Sequence, residues 1–236
     1  SYQLESFDGI SCPGEYGIHT TAAIDCSGDM PTCLGNIHAA CTPVYKADRI
    51  PVLLGGEHSL SLAPVQALLD LRQDFGVVQL DAHADLRDTY EQSPDSHACV
   101  MRRIHELGVP IFQIGVRNLC LEEVDYRATH KVPYLDAREL YQQGIPDTVL
   151  PEDFPKNIYL TFDIDGFDSS LMPATGTPEP GGLDWWQALA LCENVAKSRR
   201  ILGLDVVELA PRDEFHACSY TAAKLAYALM GIAARH

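Results

Sequence analysis

Gly76-Val77-Val78-Gln79-Leu80-Asp81-Ala82-His83-Ala84-Asp85 (residues 76–85) decides the fold. Its first half is a short, nearly continuous apolar run, the pattern of a strand buried on both faces of a parallel sheet. Its second half places two carboxylates and an imidazole directly after that strand. Period-two spacing predicts that Asp81, His83 and Asp85 project to one side of an extended segment, with the small Ala82 and Ala84 on the other. Three such groups at the end of a buried strand are costly unless cations or partners meet them. In open parallel sheets the ligand crevice lies beyond the carboxyl ends of the strands, so these ten residues predict both an architecture and a site.

Outward from this stretch the chain alternates apolar runs, turns and amphipathic segments. Strands are predicted at 50–54, 76–80, 111–115, 132–135, 158–162 and 201–207, and helices at 61–74, 97–107, 184–198 and 221–235. That alternation specifies an α/β sandwich with a parallel sheet. Residues 1–49 are rich in Cys, Gly, Pro and Thr with little periodicity, and they yield no strand. The turn-dense segment 173–182 is predicted to be an ordered loop, because site-bearing elements flank it.

Two further motifs repeat the strand-then-ligand logic. Gly55-Gly56-Glu57-His58 follows Val52-Leu53-Leu54, and the glycines allow a sharp turn that aims the imidazole into the crevice. Taken alone, His58 reads as a capping or hydrogen-bonded residue. Asp163-Ile164-Asp165 follows Ile158-Tyr159-Leu160-Thr161-Phe162, with Asp168 three residues on; taken alone, it reads as a solvated turn. Together the three motifs supply two imidazoles and four carboxylates, and the four negative charges match two divalent cations. An oxygen-rich set without Cys favours Mn over Zn.

Composition bounds the function. The 236 residues, 46% of them hydrophobic, are enough for one substantial core, and a single domain over 1–236 is expected. The 33 Asp plus Glu against 17 Lys plus Arg leave a formal charge of -16, which repels nucleic acid and anionic membranes and suits metals and cationic substrates. The 8 cysteines are scattered without a CxxC pair, as reduced thiols of a cytoplasmic enzyme would be. No apolar run is long enough to span a bilayer, and residues 1–20 lack a signal-peptide pattern.

With the motifs laid out, the chain resembles the ureohydrolases, the superfamily of arginase and agmatinase. The resemblance rests on GGEHSL at 55–60, DAHADLRD at 81–88, TFDIDGFDSS at 161–170 and PATGTPEPGG at 173–182, and it runs from about residue 50 to the C-terminus. It implies a three-layer α/β/α sandwich with a mainly parallel sheet. It also implies two Mn2+ per chain held by His58, Asp81, His83, Asp85, Asp163 and Asp165. A homo-oligomer, trimer or hexamer, is implied as well. Such enzymes carry an additional strand and helix before the segment resembling SYQLESFD (1–8), so the expected domain lacks that piece.

Enzymes of this kind hydrolyse a guanidinium group to urea and an amine. The guanidinium carbon is a poor electrophile, and two metals sharing a water make the strong nucleophile it requires. His97 resembles the family's proton-shuttling histidine, which serves the leaving amine, and Glu208 resembles its guanidinium-binding carboxylate. Read without the resemblance, His97 opens a helix and Glu208 is a solvated strand end. Arg87 and Asn118 stand where arginases carry residues that recognise an amino-acid head, and the wording 85–98 looks most like bacterial agmatinases. The expected reaction is therefore agmatine to putrescine and urea. A guanidino-acid hydrolase such as 4-guanidinobutyrase, a formimidoylglutamase, an arginase and an inactive metal-binding structural homologue remain as alternatives, and Arg87 facing the pocket would favour the acid.

Overall fold

The computed structural model describes residues 13–236. The stretch SYQLESFD and Cys12 lie outside the described residues. Strands β1 (Val52–Leu54), β2 (Phe75–Leu80), β3 (Ile111–Ile114), β4 (Tyr134–Leu135), β5 (Asn157–Asp163) and β6 (Arg200–Val207) form one sheet in the order β1-β6-β5-β2-β3-β4. Every pairing is parallel. Each predicted strand is present, with ends displaced by one or two residues.

Successive side chains of the central strands enter different cores, as period two requires. Val78, Leu80, Leu160, Phe162, Leu204 and Val206 join one apolar cluster, which helices α6 (Trp185–Ala196) and α7 (His216–Arg235) cover with Leu191, Val195, Leu225 and Leu229. Phe75, Val77, Tyr159 and Leu202 join the cluster on the opposite face, covered by α2 (Leu62–Leu69), α3 (Val100–Glu106) and α4 (Leu121–His130). Burial on both faces explains why these strands are apolar at nearly every position. The result is three layers.

Helix α6 starts where its sequence says it should. Asp184 accepts from the Gln187 backbone N–H and the Gln187 side chain accepts from the Asp184 N–H, a reciprocal cap. Three helices escape the periodicity. Helix α1 (Met30–Lys46) buries only Ile37 and Cys41, carries Pro43 inside, and starts at Asp29, whose side chain accepts from Thr32 N. So narrow an apolar stripe leaves little pattern, and 1–49 contains this helix where none was predicted. Helix α4 is hidden for a different reason: its buried face includes Glu123 and Arg127. Helix α5 (Ala137–Gln143) is short and buries Ala137 and Leu140 alone. The predicted helix at 61–74 is a 3-10 turn, His58–Ser61, running into α2, which ends at Leu69.

Candidate metal centre and catalytic pocket

The register of β2 and β5 pairs Leu80 with Phe162, so the segments following the two strands emerge side by side. From β2 come Asp81, His83 and Asp85; from β5 come Asp163 and, in the 3-10 turn Ile164–Gly166, Asp165. The third contribution enters from β1. Gly55 and Gly56 have φ of 86° and 82°, the left-handed turn expected of them, and deliver a fully buried His58.

The segment 81–85 is not the extended ribbon that the spacing predicts. The chain bends at Ala82, and Asp85 has φ 53°. The bend distributes the ligand-type groups over two neighbouring clusters. His58 Nδ1 lies 3.1 Å from Asp81 Oδ2, 2.9 Å from Asp85 Oδ2 and 3.4 Å from Asp163 Oδ2. His83 Nδ1 lies 3.0 Å from Asp165 Oδ2 and 3.6 Å from Asp81 Oδ1. Asp81 thus presents one oxygen to each cluster.

Backbone amides hold the carboxylates in place. Asp81 accepts from His83 N at 2.6 Å, Asp163 from Asp165 N at 2.8 Å and Asp165 from Ala82 N at 3.0 Å. Gln79 Nε2 adds a donor to Asp81 Oδ2 at 2.7 Å and is itself fixed by Gln113. Asp168 stands apart. It accepts from Ser170 and the amides of Gly181 and Gly182, which hold its carboxyl down at about 2 and close the proline-rich loop.

The charges do not balance among the side chains themselves. Burial and neighbouring carboxylates push Asp163 well above the ordinary carboxylate range, and burial with the charge of Asp81 pushes Asp85 up to about 8. Burial alone would lower both imidazoles. Instead the carboxylates around them raise His58 well above its ordinary value and His83 to about 11. His58 Nδ1 is buried without a hydrogen bond of good geometry and is ringed by carboxylate oxygens. An imidazole nitrogen so placed, in a cluster short of positive charge, fits divalent cations. His58, Asp81 and Asp163 bring ligand atoms within 4.8 Å of one another, as do Asp81, His83 and Asp165, so each trio could hold one ion.

Beside this pair stands a third group. Ligand atoms of Glu57, His97 and Glu208 also lie within 4.8 Å of one another, all partly exposed. Glu208 follows β6 in a left-handed backbone, φ 65°, and accepts from His58 N at 2.6 Å. Non-glycine residues pay strain for that conformation, and they are concentrated at functional positions. Burial raises the Glu208 carboxyl. His97 opens a 3-10 turn leading into α3, as its plain reading requires, and it also faces the pocket: Nδ1 lies 3.8 Å from Glu57 Oε2. The His97 ring meets the edge of Tyr90 at 5.4 Å, and the Arg87 guanidinium lies 5.2 Å over that same Tyr90 ring. Asn118 donates to Glu179.

Sequence reasoning missed Arg117. Its guanidinium donates to the carbonyls of Asp165, Phe167, Glu179 and Pro180 at 2.8 to 3.1 Å, fastening the proline-rich loop to the end of β5. Gly182 lies so close that a Cβ there would sit 2.6 Å from Arg117 Nη2. An Arg in a glycine-flanked turn after a buried strand is the only sequence signal of this role.

The model of the Arginase family matches residues 2–231. The chain belongs to the arginase family. It is 37% identical over 241 residues to the N(1)-aminopropylagmatine ureohydrolase of Synechocystis sp., covering 98% of this chain and 79% of that protein. It is 39% identical over 186 residues to the agmatinase of Pyrococcus horikoshii, covering 79% of this chain and 64% of that protein. The solved agmatine ureohydrolase of Thermoplasma volcanium superposes with a TM-score of 0.79 at 31% identity, over 89% of this chain and 71% of that one. This arginase-family chain is thus a metal-dependent amidino hydrolase of agmatinase-like type, and the fold implies a binuclear metal site. Among the described residues no helix is long and apolar enough to cross a membrane.

Proposed function

We propose that this enzyme hydrolyses the guanidinium group of agmatine, giving putrescine and urea, with two Mn2+ per chain. The observation that carries the reading is the placement of Glu208. Its partly buried carboxylate lies beside the two ligand clusters and next to His97. A planar cation pairs there through the fork of its N–H donors.

His58, Asp81, His83, Asp85, Asp163 and Asp165 hold the ions in this reading, their oxygen-rich set suiting Mn2+. When bound, the metals would supply Lewis acidity and lower the pKa of water. Glu208 orients the guanidinium. His97, half-exposed and within the same pocket, hands a proton to the amine nitrogen as the C–N bond breaks.

The rest of the substrate is read by what the rim lacks. Arg87 rests on Tyr90, and Asn118 donates to Glu179, so both side chains are held by neighbouring residues. A cationic tail without a carboxylate suits this rim and the formal charge of -16. The 37% identity to an N(1)-aminopropylagmatine ureohydrolase supports a second reading, the aminopropyl derivative of agmatine as substrate. We further propose one domain, which the continuous sheet supports, in a reducing, cytoplasmic setting, which the free thiols of all seven described cysteines support, working as a homo-oligomer by family resemblance.

Urea release from Mn-loaded enzyme tests the reading with agmatine, N(1)-aminopropylagmatine, arginine and 4-guanidinobutyrate as substrates, and formamide release tests formimidoylglutamate. Urea is expected from the first two. Turnover confined to the guanidino acid or to arginine overturns the substrate assignment, and turnover of none overturns the enzymatic one.

A further inference from the structure

Asp205 lies in the middle of β6, wholly buried, between the apolar Leu204 and Val206. No cation faces it. Its carboxylate instead accepts from three hydroxyls: Ser61 Oγ at 2.7 Å and Tyr159 Oη at 2.8 Å on Oδ2, and Thr161 Oγ1 at 2.6 Å on Oδ1. A carboxylate at the centre of a sheet is costly there, even when hydroxyls satisfy it.

The hydrogen bonds lead to His58. Thr161 Oγ1 lies 2.8 Å from His58 Nε2, and all three residues are buried. The threonine hydroxyl has a single proton, and a carboxylate can only accept. With that proton committed to Asp205, Thr161 offers His58 a lone pair, so Nε2 must carry the hydrogen. In the neutral ring that ligates a metal, Nδ1 is then left with its own lone pair, and it is the nitrogen that faces Asp81, Asp85 and Asp163.

We infer that Asp205 is a positioning residue which, through Thr161, fixes the tautomer and ring orientation of His58 so that Nδ1 is presented to a divalent cation. This rests on the metal reading above and extends it to two residues outside the ligand set. Partners that orient a ligating histidine from behind commonly change metal affinity by roughly 10- to 100-fold.

Two near-isosteric substitutions test it in the full chain. Thr161→Val deletes the hydroxyl. Asp205→Asn keeps the volume but inverts the polarity: its carbonyl satisfies Ser61 and Tyr159, its amide donates to Thr161, and Thr161 then donates to His58 Nε2, the opposite tautomer. Thr161→Ser restores the hydroxyl. Mn2+ stoichiometry and dissociation constants are measured by calorimetry, alongside melting temperature in chelator.

Thr161→Val and Asp205→Asn should weaken one of two ions about 10- to 100-fold and spare the other, while Thr161→Ser stays within about threefold of wild type. Wild-type binding of two ions with both variants unchanged overturns the inference alone. So does a lowered melting temperature in chelator with wild-type affinity in the folded fraction, which would make Asp205 a stabiliser of the core. A wild-type chain that binds no divalent ion overturns the metal reading itself, and the inference falls with it.

Discussion

Arg117 Nη2 lies 2.8 Å from the backbone carbonyl of Asp165, tying the turn after β3 to the second carboxylate of the Asp-Ile-Asp motif. The same guanidinium reaches Glu179 and Pro180, so one side chain sets the distance between the ligand clusters and the proline-rich loop. Burial lowers its pKa, yet its donors are satisfied by carbonyls at several points. Arg117→Ala strands those acceptors and should destabilise the enzyme by about 3 kcal/mol. Lysine lacks the planar fork and should recover little of it. Denaturant titration measures both; a loss below about 0.5 kcal/mol for Arg117→Ala would show that the loop holds itself.

Asp81 presents an oxygen to each histidine cluster, and its removal should be felt at both. Asp81→Ala is expected to lose both ions and all measurable turnover, and chelation of the wild type to do the same reversibly. Asp163→Ala should lose bound metal as well. Metal analysis of gel-filtered protein decides this, and undiminished metal content in both variants would contradict the binuclear reading.

His97 touches none of the six ligand residues through a hydrogen bond in this structure, and its neighbours are Glu57, Glu208 and Tyr90. His97→Ala should therefore lower turnover by roughly 100-fold or more while leaving both ions in place. Steady-state rates between pH 7 and 9 with parallel metal analysis separate the two effects. Wild-type rates would reduce His97 to the residue that opens its turn.

Arg87 tests the choice between agmatine and a guanidino acid. With its guanidinium over Tyr90, its removal forfeits about 1 kcal/mol of cation–π contact, so Arg87→Ala should change kcat/KM for agmatine by no more than about fivefold. Arginine should be turned over several orders of magnitude more slowly, because its carboxylate and ammonium meet no built partner. Comparable rates on arginine and agmatine would refute this and leave the hydrolase chemistry standing.

Much of the site was legible because its chemistry needs particular residue types at strand ends. His58, Asp81, His83, Asp85, Asp163 and Asp165 all stand where apolar runs stop, and the structure brings all six together. Their partition was not legible. Period two places Asp81, His83 and Asp85 on one side of a ribbon, whereas the left-handed Asp85 turns the chain. Glu57 lies inside the quoted Gly-Gly-Glu-His motif and went unassigned, since nothing local says that it will meet His97.

The amino-acid sequence by itself determined the alternation of strand and helix, the burial of the central strands on both faces and the identity of the ligand-type residues. These are properties of short segments, set by side-chain period and by the cost of burying charge. Only the tertiary structure decided the order β1-β6-β5-β2-β3-β4, which seats β5 between β2 and β6 and so brings Thr161 and Asp205 behind His58. It also revealed α1 and α4, whose buried faces are too narrow or too polar for a hydrophobic period to mark. Pairings across 44 or 103 residues leave no local trace, because the partners meet only when the strands dock.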